Sequence, residues 1–471
     1  MRKNWMFSVL ATSLIALGAL AVWAGCNQHP VDYTRASGQV ERTKNVSAGG
    51  GVKLDILWVI DNSQSMCQEQ RQLRDNFKNE FIKTLRESPI NFHIAVTTTQ
   101  MIQSYAIEKI AKPGHVQSTP HPPVGFSDSC RFQADDTGTP MGFDHPMGPK
   151  YGSVIEQINQ AVECTKNPQQ FQHLKNPTTA EIECALWGNS KSGTAVKNPC
   201  DKVGKDPSMT GVTDLFPCGS QNGKPTACSE KELRDIYQSV PGDVIKAADY
   251  RKSDGSLDFP RLESDFACMS YVGVRGYSQE EGLLAATRAV SPKLTGGPAG
   301  NPYAKGDKAG DYTFKKSGEQ APNHGFLRDD AKLAVIFVTD ENDCSVPDAD
   351  RKNETLEKRY GCGEMNCYYP TKGDDQTPLY STQRLAEAFR KNLRLSKRTD
   401  NLSKEDIFIA SIHGKSKPYD GKIQTTEEYC GNTKKANNFK DNLTTCSGKT
   451  GASRSGDRYE AFLLNFDNHF P

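Results

Sequence analysis

Val52-Lys53-Leu54-Asp55-Ile56-Leu57-Trp58-Val59-Ile60 is almost continuously apolar and β-branched at its end, and Asp61-Asn62-Ser63-Gln64-Ser65 follows without a spacer. A run with so little polar alternation reads as a strand buried on both faces, the central position in a parallel sheet. The polar residues after it form the turn out of the sheet. From 68 to 85, Leu73, Phe77, Phe81, Ile82 and Leu85 share one helical face. Residues 90–97 (INFHIAVT) then read as a second strand. Strand, helix and strand within about forty-five residues make a βαβ unit with a right-handed crossover.

The pattern fades between Thr98 and about Asp258, where Pro, Gly, Asn and Lys dominate and short helical pieces stand at 152–164, 180–187 and 229–239. We read 100–258 as one long disulfide-rich insertion, because an unstapled loop of that length would count against the assignment. Periodicity returns at 262–268 and in a helix from Gly276 to Val290. Leu333-Ala334-Val335-Ile336-Phe337-Val338 is the strongest strand in the chain, with Thr339-Asp340-Glu341-Asn342-Asp343-Cys344 at its end. A helix over 377–396, a strand over 407–412 and a helix from Arg458 to Phe466 follow. Strands alternating with helices predict an α/β fold, a Rossmann-like central sheet, mostly parallel and flanked by helices. The domain is then discontinuous, 53–99 and 259–471. Its last edge strand is small or missing, since nothing after Ile412 reads as a clear strand.

At the N-terminus Arg2 and Lys3 precede an apolar run from about Phe7 to Ala24, the layout of a secretory signal peptide. The run is also long enough for an uncleaved anchor. Ala24-Gly25-Cys26 resembles the lipobox of bacterial lipoproteins, although Trp23 stands where that pattern usually has an aliphatic residue. The resemblance makes 1–25 the signal peptide and Cys26 the lipidated residue, and two or three acyl chains anchor stably where one does not. Asn27, rather than Asp, favours the outer membrane of the cell envelope. Residues 26–52 are polar and end in glycines, a tether averaging roughly 25–30 Å end to end.

Lys plus Arg (58) and Asp plus Glu (57) nearly cancel, which gives no footprint for a nucleic-acid partner. The chain has 14 cysteines; setting Cys26 aside leaves an odd number, so disulfides are expected together with at least one unpaired or intermolecular thiol. Cys67 and Cys344 both lie just past the polar loops and form one candidate pair. Cys344 with Cys362 or Cys367, and Cys430 with Cys446, are others.

Ligands of an open α/β sheet bind beyond the carboxyl ends of its strands. The polar clusters 61–65 and 339–340 lie at such ends. Two carboxylates with several hydroxyls make a hard, all-oxygen set, suited to Mg²⁺ or to another divalent cation such as Mn²⁺ or Ca²⁺. Strand, Asp61-x-Ser63-x-Ser65 and helix, with Asp340 after a later strand, resemble the metal-ion-dependent adhesion site (MIDAS) of von Willebrand factor type A (VWA) domains. The resemblance covers 53–99 and about 265–415, and identifies the chain as a type A lipoprotein of bacteria. It implies metal ligation by Asp61, Ser63, Ser65 and Asp340. The family's threonine falls in Gly276-Tyr277-Ser278-Gln279-Glu280, where Ser278 is the candidate and the second threonine is absent. The two serines and Ser278 would coordinate directly and the aspartates through water. The open position would accept an Asp or Glu carboxylate from a protein partner, for cell adhesion or recognition.

No GxSxG, HExxH or P-loop occurs in the sequence, and the nine histidines are scattered, so no enzyme is expected. The rival readings are a structural envelope scaffold with a degenerate metal site, in which these Asp and Ser residues only cap helices, and binding carried chiefly by the insertion. Asp343 is expected as a support to the metal site or, more simply, as a solvated loop carboxylate.

Overall fold

A computed structural model of the chain describes residues 52–63, 76–87, 90–101, 244–272, 279–296, 321–347, 379–397, 402–414, 444–448 and 451–466. Between and beyond these it describes positions 66, 69, 70, 73, 114, 116, 164, 167, 169, 220, 221, 224, 225, 367, 399, 469 and 470.

One six-stranded sheet organises these segments: β1 (Lys53–Ile60), β2 (Asn91–Thr98), β3 (Ile245–Lys246), β4 (Lys332–Val338), β5 (Ile407–Ile412) and β6 (His469–Phe470). Their spatial order is β6-β5-β4-β1-β2-β3. Every neighbouring pair is parallel except β2 with β3 at one edge. The register sets Ile60 beside Thr98 on one side and Val338 on the other, and Val338 beside Ile412, so the carboxyl ends of four strands finish level.

Helices cover both faces, which is why the central strands carry apolar residues on both sides. Leu57, Val59, Val335, Phe337 and Ile409 face one layer, built from α3 (Gly282–Ala289), α5 (Thr382–Ser396) and α6 (Asp457–Leu463). Ile56, Trp58, Ile60, Ile94, Val96 and Ile336 face the other, formed by α1 (Ile82–Glu87), with the π-helical turn Phe77–Phe81 before it, and α2 (Phe259–Met269). Alternate residues of one strand thus belong to two cores. Trp58 packs edge-on against Phe77, Phe81 and Phe266. Phe389 and Phe337 both meet Phe462 at right angles. Local signals set the helix starts: Asp258 accepts the Arg261 N–H ahead of Pro260, and Ser381 accepts the Arg384 N–H. A short helix, α4 (Pro292–Thr295), ends at left-handed Gly296.

The expected helix faces, with Leu73, Phe77, Phe81, Ile82 and Leu85 on one and Leu385, Phe389 and Leu393 on the other, are buried as read. Three readings change. The helix placed over 276–290 begins at Gly282, and the one placed over 377–396 begins at Thr382. The edge strand β3 and the 3₁₀ turn Ala247–Tyr250 lie inside the stretch read as insertion; two strand residues carry no period to detect. The last edge strand, read as small or missing, is small: β6 has two residues and pairs in parallel with Ile409 and Ala410. The helical pieces read at 152–164, 180–187 and 229–239 lie outside the described residues, as do the signal peptide, Cys26 and the tether. Cys164, in the stretch read as insertion, is disulfide-bonded to Cys268 of α2 with a Cα–Cα distance of 5.5 Å. Among the described residues no helix is long and apolar enough to cross a membrane.

Opposite the carboxyl ends, at the start of β1, a charged group is buried. Asp55 is fully enclosed and accepts from the Arg328 N–H at 2.8 Å and its Nε at 2.7 Å. Arg328 also reaches the side chain and carbonyl of Asn91, and the buried Lys397 ammonium lies 3.8 Å from Asp55. Burial nevertheless holds the Asp55 carboxyl above its ordinary range, against the pull of both cations.

Candidate functional site

Asp61 is the first residue beyond β1, and three loops converge on it. Its backbone N–H donates to Val338 O of β4 at 2.9 Å, and its carbonyl accepts from Gln70 Nε2 at 3.1 Å. Its carboxylate accepts at Oδ1 from the Ser63 N–H (2.7 Å) and the Thr99 hydroxyl (3.4 Å), and at Oδ2 from the Thr339 hydroxyl (2.7 Å). The Ser63 hydroxyl also bonds this carboxylate. Asp61 thereby joins the loops after β1, β2 and β4. Burial raises its carboxyl above the usual range, while these hydrogen bonds pull it back.

Ser63 and Asp340 are nearly enclosed as well, each 3% exposed. The Asp340 carbonyl accepts from the Arg454 N–H (2.8 Å) and the Ser453 hydroxyl (3.2 Å) of the strand Gly451–Arg454. That strand forms a hairpin with Thr444–Gly448, which carries Cys446. The Arg454 guanidinium pairs with Glu341 at 2.8 Å. The C-terminal segment therefore lies along the loop that presents Asp340. Ser65 and Ser278 lie outside the described residues, as do Cys67, Cys362 and Cys430.

Asp343 corrects an expectation. It is fully buried rather than solvated, and accepts from the Leu283 N–H (3.0 Å), the Ser345 hydroxyl (2.8 Å) and N–H (3.1 Å), and the Arg458 guanidinium (3.2 Å). It ties the start of α3 to α6. The cysteine pairing is also settled at one end: Cys344 bonds Cys367, with a Cα–Cα distance of 4.9 Å, and not Cys67 or Cys362. Position 367 lies against Asn342, whose side chain donates to the Cys367 carbonyl.

Reading the sequence missed Glu280. Its backbone is held on two sides, since its carbonyl accepts the Cys344 N–H at 2.6 Å and the next N–H, of Glu281, donates to Thr99 O at 3.0 Å. Its side chain is 1% exposed, and neither carboxylate oxygen has a hydrogen-bond partner. Burial holds this carboxyl well above the ordinary range, and the nearby charges of Glu341, Asp61 and Asp340 push it the same way. Gly282 follows closely, and any Cβ there would collide with the Tyr459 hydroxyl from α6, so only glycine admits this approach. The signal available beforehand was the pair Glu280-Glu281 directly before a helix whose first turn is apolar. Thr99, at the end of β2, was missed too.

The arrangement is an oxygen-rich, anionic cluster closed off from water. Like charges gathered in a medium of low dielectric repel strongly and call for a compensating cation. Carboxylates, hydroxyls and amide oxygens are the donors that hard divalent ions take. The bare oxygens of Glu280, and the buried Asn62 Oδ1, which also has no partner, fit that demand. Among the described residues no three His, Cys, Asp or Glu are gathered closely enough to grip an ion by themselves. A cation here would draw on hydroxyls such as that of Ser63 as well. No protein-family model matches the chain, and neither a curated protein nor a solved structure matches it.

Proposed function

We propose that the chain is a cell-envelope lipoprotein of the von Willebrand type A kind, whose sheet-edge site binds a divalent cation and through it recognises another protein. The observation that carries this is the seating of Asp61. One carboxylate is held by donors from Ser63, Thr99 and Thr339, at the level where parallel strands end, with Asp340 directly after Thr339. The mostly parallel order, with its single antiparallel edge, is compatible with the Rossmann-like sheet expected of such a domain. Asp61, Ser63 and Asp340, with Ser65 and Ser278 on the sequence reading, would hold the ion. The ion's part is electrostatic: it presents a Lewis-acidic position to an electron-pair donor of the partner, such as an Asp or Glu carboxylate oxygen, and no bond need break.

Cation binding by the full chain, followed by calorimetry with MgCl₂, MnCl₂ and CaCl₂, tests the first half. Asp61→Ala should abolish it. Partner capture from envelope extracts, with and without EDTA, tests the second. Capture that survives both EDTA and Asp61→Ala would refute the recognition role. One observation favours the scaffold reading as a second choice: Asp61, Ser63, Glu280 and Asp340 are all at most 3% exposed. A closed site serves a structural ion as readily as a shared one.

A further inference from the structure

α3 starts without a cap of its own, since the side chain of its N-cap residue, Glu281, makes no bond to the first turn. The amides at such a start need acceptors from elsewhere when they are buried. The loop after β4 supplies them. The Leu283 N–H donates to Asp343 Oδ1 at 3.0 Å and the Leu284 N–H to Ser345 Oγ at 3.1 Å, the two positions an N-cap side chain normally serves. The contact is mutual: Glu281 Oε2 accepts the Val346 N–H at 3.1 Å, and the Glu280 carbonyl accepts the Cys344 N–H. Cys344 stands between the two capping residues and is bonded to Cys367, and both cysteines are buried. The same pieces reach Asp61 from two sides. Thr339, just before the loop, donates to Asp61 Oδ2; Thr99, which donates to Oδ1, accepts the Glu281 N–H at its carbonyl.

We propose that residues 341–346, closed by the Cys344–Cys367 bond, are a redox-sensitive clasp that caps α3 from outside and keeps the Asp61 site assembled. A dithiol opens it: two electrons and two protons pass to the sulfurs, the S–S bond becomes two thiols, and the dithiol leaves as its own disulfide. Because both cysteines are buried, the dithiol reaches them only when the loop opens. The reduced loop keeps its hydrogen bonds, each of modest net worth, and loses its closure. Removing a closure of sequence separation 23 makes opening about 100-fold more frequent. An open loop uncaps α3 and removes the frame that aligns Thr99 with Thr339 on Asp61. The clasp rests on the cation reading above only for what it serves: an ion that needs the assembled site holds the loop shut in return.

The test is hydrogen exchange of the backbone amides, followed residue by residue in EDTA, for the oxidised full chain and for Cys344→Ser/Cys367→Ser. In the variant the Leu283 and Leu284 amides should exchange about 100-fold faster than in wild type. Those of Val59 and Val335 in the central strands should stay at least about tenfold slower than these two, which also shows that the variant is folded. Leu283 and Leu284 exchanging at the wild-type rate, or in step with the central strands, would overturn the clasp. MgCl₂ at ten times its calorimetric Kd should slow both amides of the oxidised wild type about tenfold. Mg²⁺ that binds in calorimetry yet leaves their exchange unchanged would separate the clasp from the site, sinking this inference while the proposed function stands. No Mg²⁺ binding at all would refute the proposed function, and the comparison in EDTA would still decide the clasp.

Discussion

Thr339 does more for the site than its position one residue before Asp340 suggests. Its hydroxyl donates to Asp61 Oδ2 and accepts the Glu341 N–H at 3.1 Å, while its own N–H donates to Ile412 O. Thr339→Val keeps the shape and strips both side-chain bonds from a buried place. It should cost about 1–3 kcal/mol, because the partners are left unsatisfied rather than merely unpaired. A urea midpoint measured in EDTA checks this, and a loss below about 0.5 kcal/mol would mean the loops find other partners. His413 gives a second residue-scale prediction. Its Nδ1 donates to Gly414 O at 2.6 Å, its Nε2 is buried without a partner, and its ring stacks on Tyr459. Burial lowers its pKa below the ordinary 6.5. The unfolded chain then takes up the proton first, so stability is full above that value and falls as pH drops through the depressed folded pKa. Half-buried His93 shifts in the same direction and adds to the slope. The thermal midpoint should decline between about pH 7 and pH 5, and His413→Phe, which keeps the stack, should flatten part of that decline. An identical slope in the variant would remove His413 from the account.

At the scale of elements, the Cys344–Cys367 bond closes a loop of sequence separation 23 directly beside Asn342 and Asp343. Cross-linking a loop of that length restricts the unfolded chain by about 3 kcal/mol. The double variant Cys344→Ser/Cys367→Ser should lose about that much by urea unfolding; Cys164–Cys268, with a sequence separation of 104, contributes about 4.7 kcal/mol by the same reckoning. A double variant as stable as wild type would show that hydrogen bonds alone hold the loop. Long, patterned elements were legible in the sequence: β1, β2, β4 and β5 are apolar on both sides, and α5 repeats Leu385, Phe389 and Leu393 at helical spacing. What was not legible has physical reasons. β3 and β6 are two residues each, too short for any period, and exist because a neighbouring edge offers hydrogen bonds. Asp61 and Asp340 stood out because they end strong strands. Glu280 did not, since its importance comes from which carboxylates the fold sets around it, and those are distant in sequence. Asp343 looked like a loop carboxylate until Arg458, 115 residues on, was seen to cover it.

At the scale of the whole molecule, the sheet separates two kinds of buried charge. The carboxyl ends hold the anionic cluster around Asp61, and the opposite end holds Asp55 with Arg328 and Lys397. Both Asp55 and Asp61 lie on or next to β1, so about six strand steps of roughly 3.3 Å, near 20 Å, separate them. Effects of changes that far apart, with no shared partner, add. Arg328→Met strips Asp55 of its hydrogen-bonded cation, leaving the Lys397 ammonium and the His93 ring at 3.8 and 3.9 Å, and should cost about 3–5 kcal/mol, the usual result of removing one member of an enclosed pair. The stabilisation conferred by a bound cation depends only on its concentration relative to its Kd, about 2.7 kcal/mol at a hundredfold excess. Arg328→Met should therefore lower the urea midpoint in EDTA and in CaCl₂ by the same free energy, leaving the cation increment as it is in wild type. Combined with Thr339→Val, its loss should sum to within about 0.5 kcal/mol. An increment that shrinks in Arg328→Met would mean that strain at one end of β1 reaches the other, and that the sheet transmits between its ends instead of insulating them.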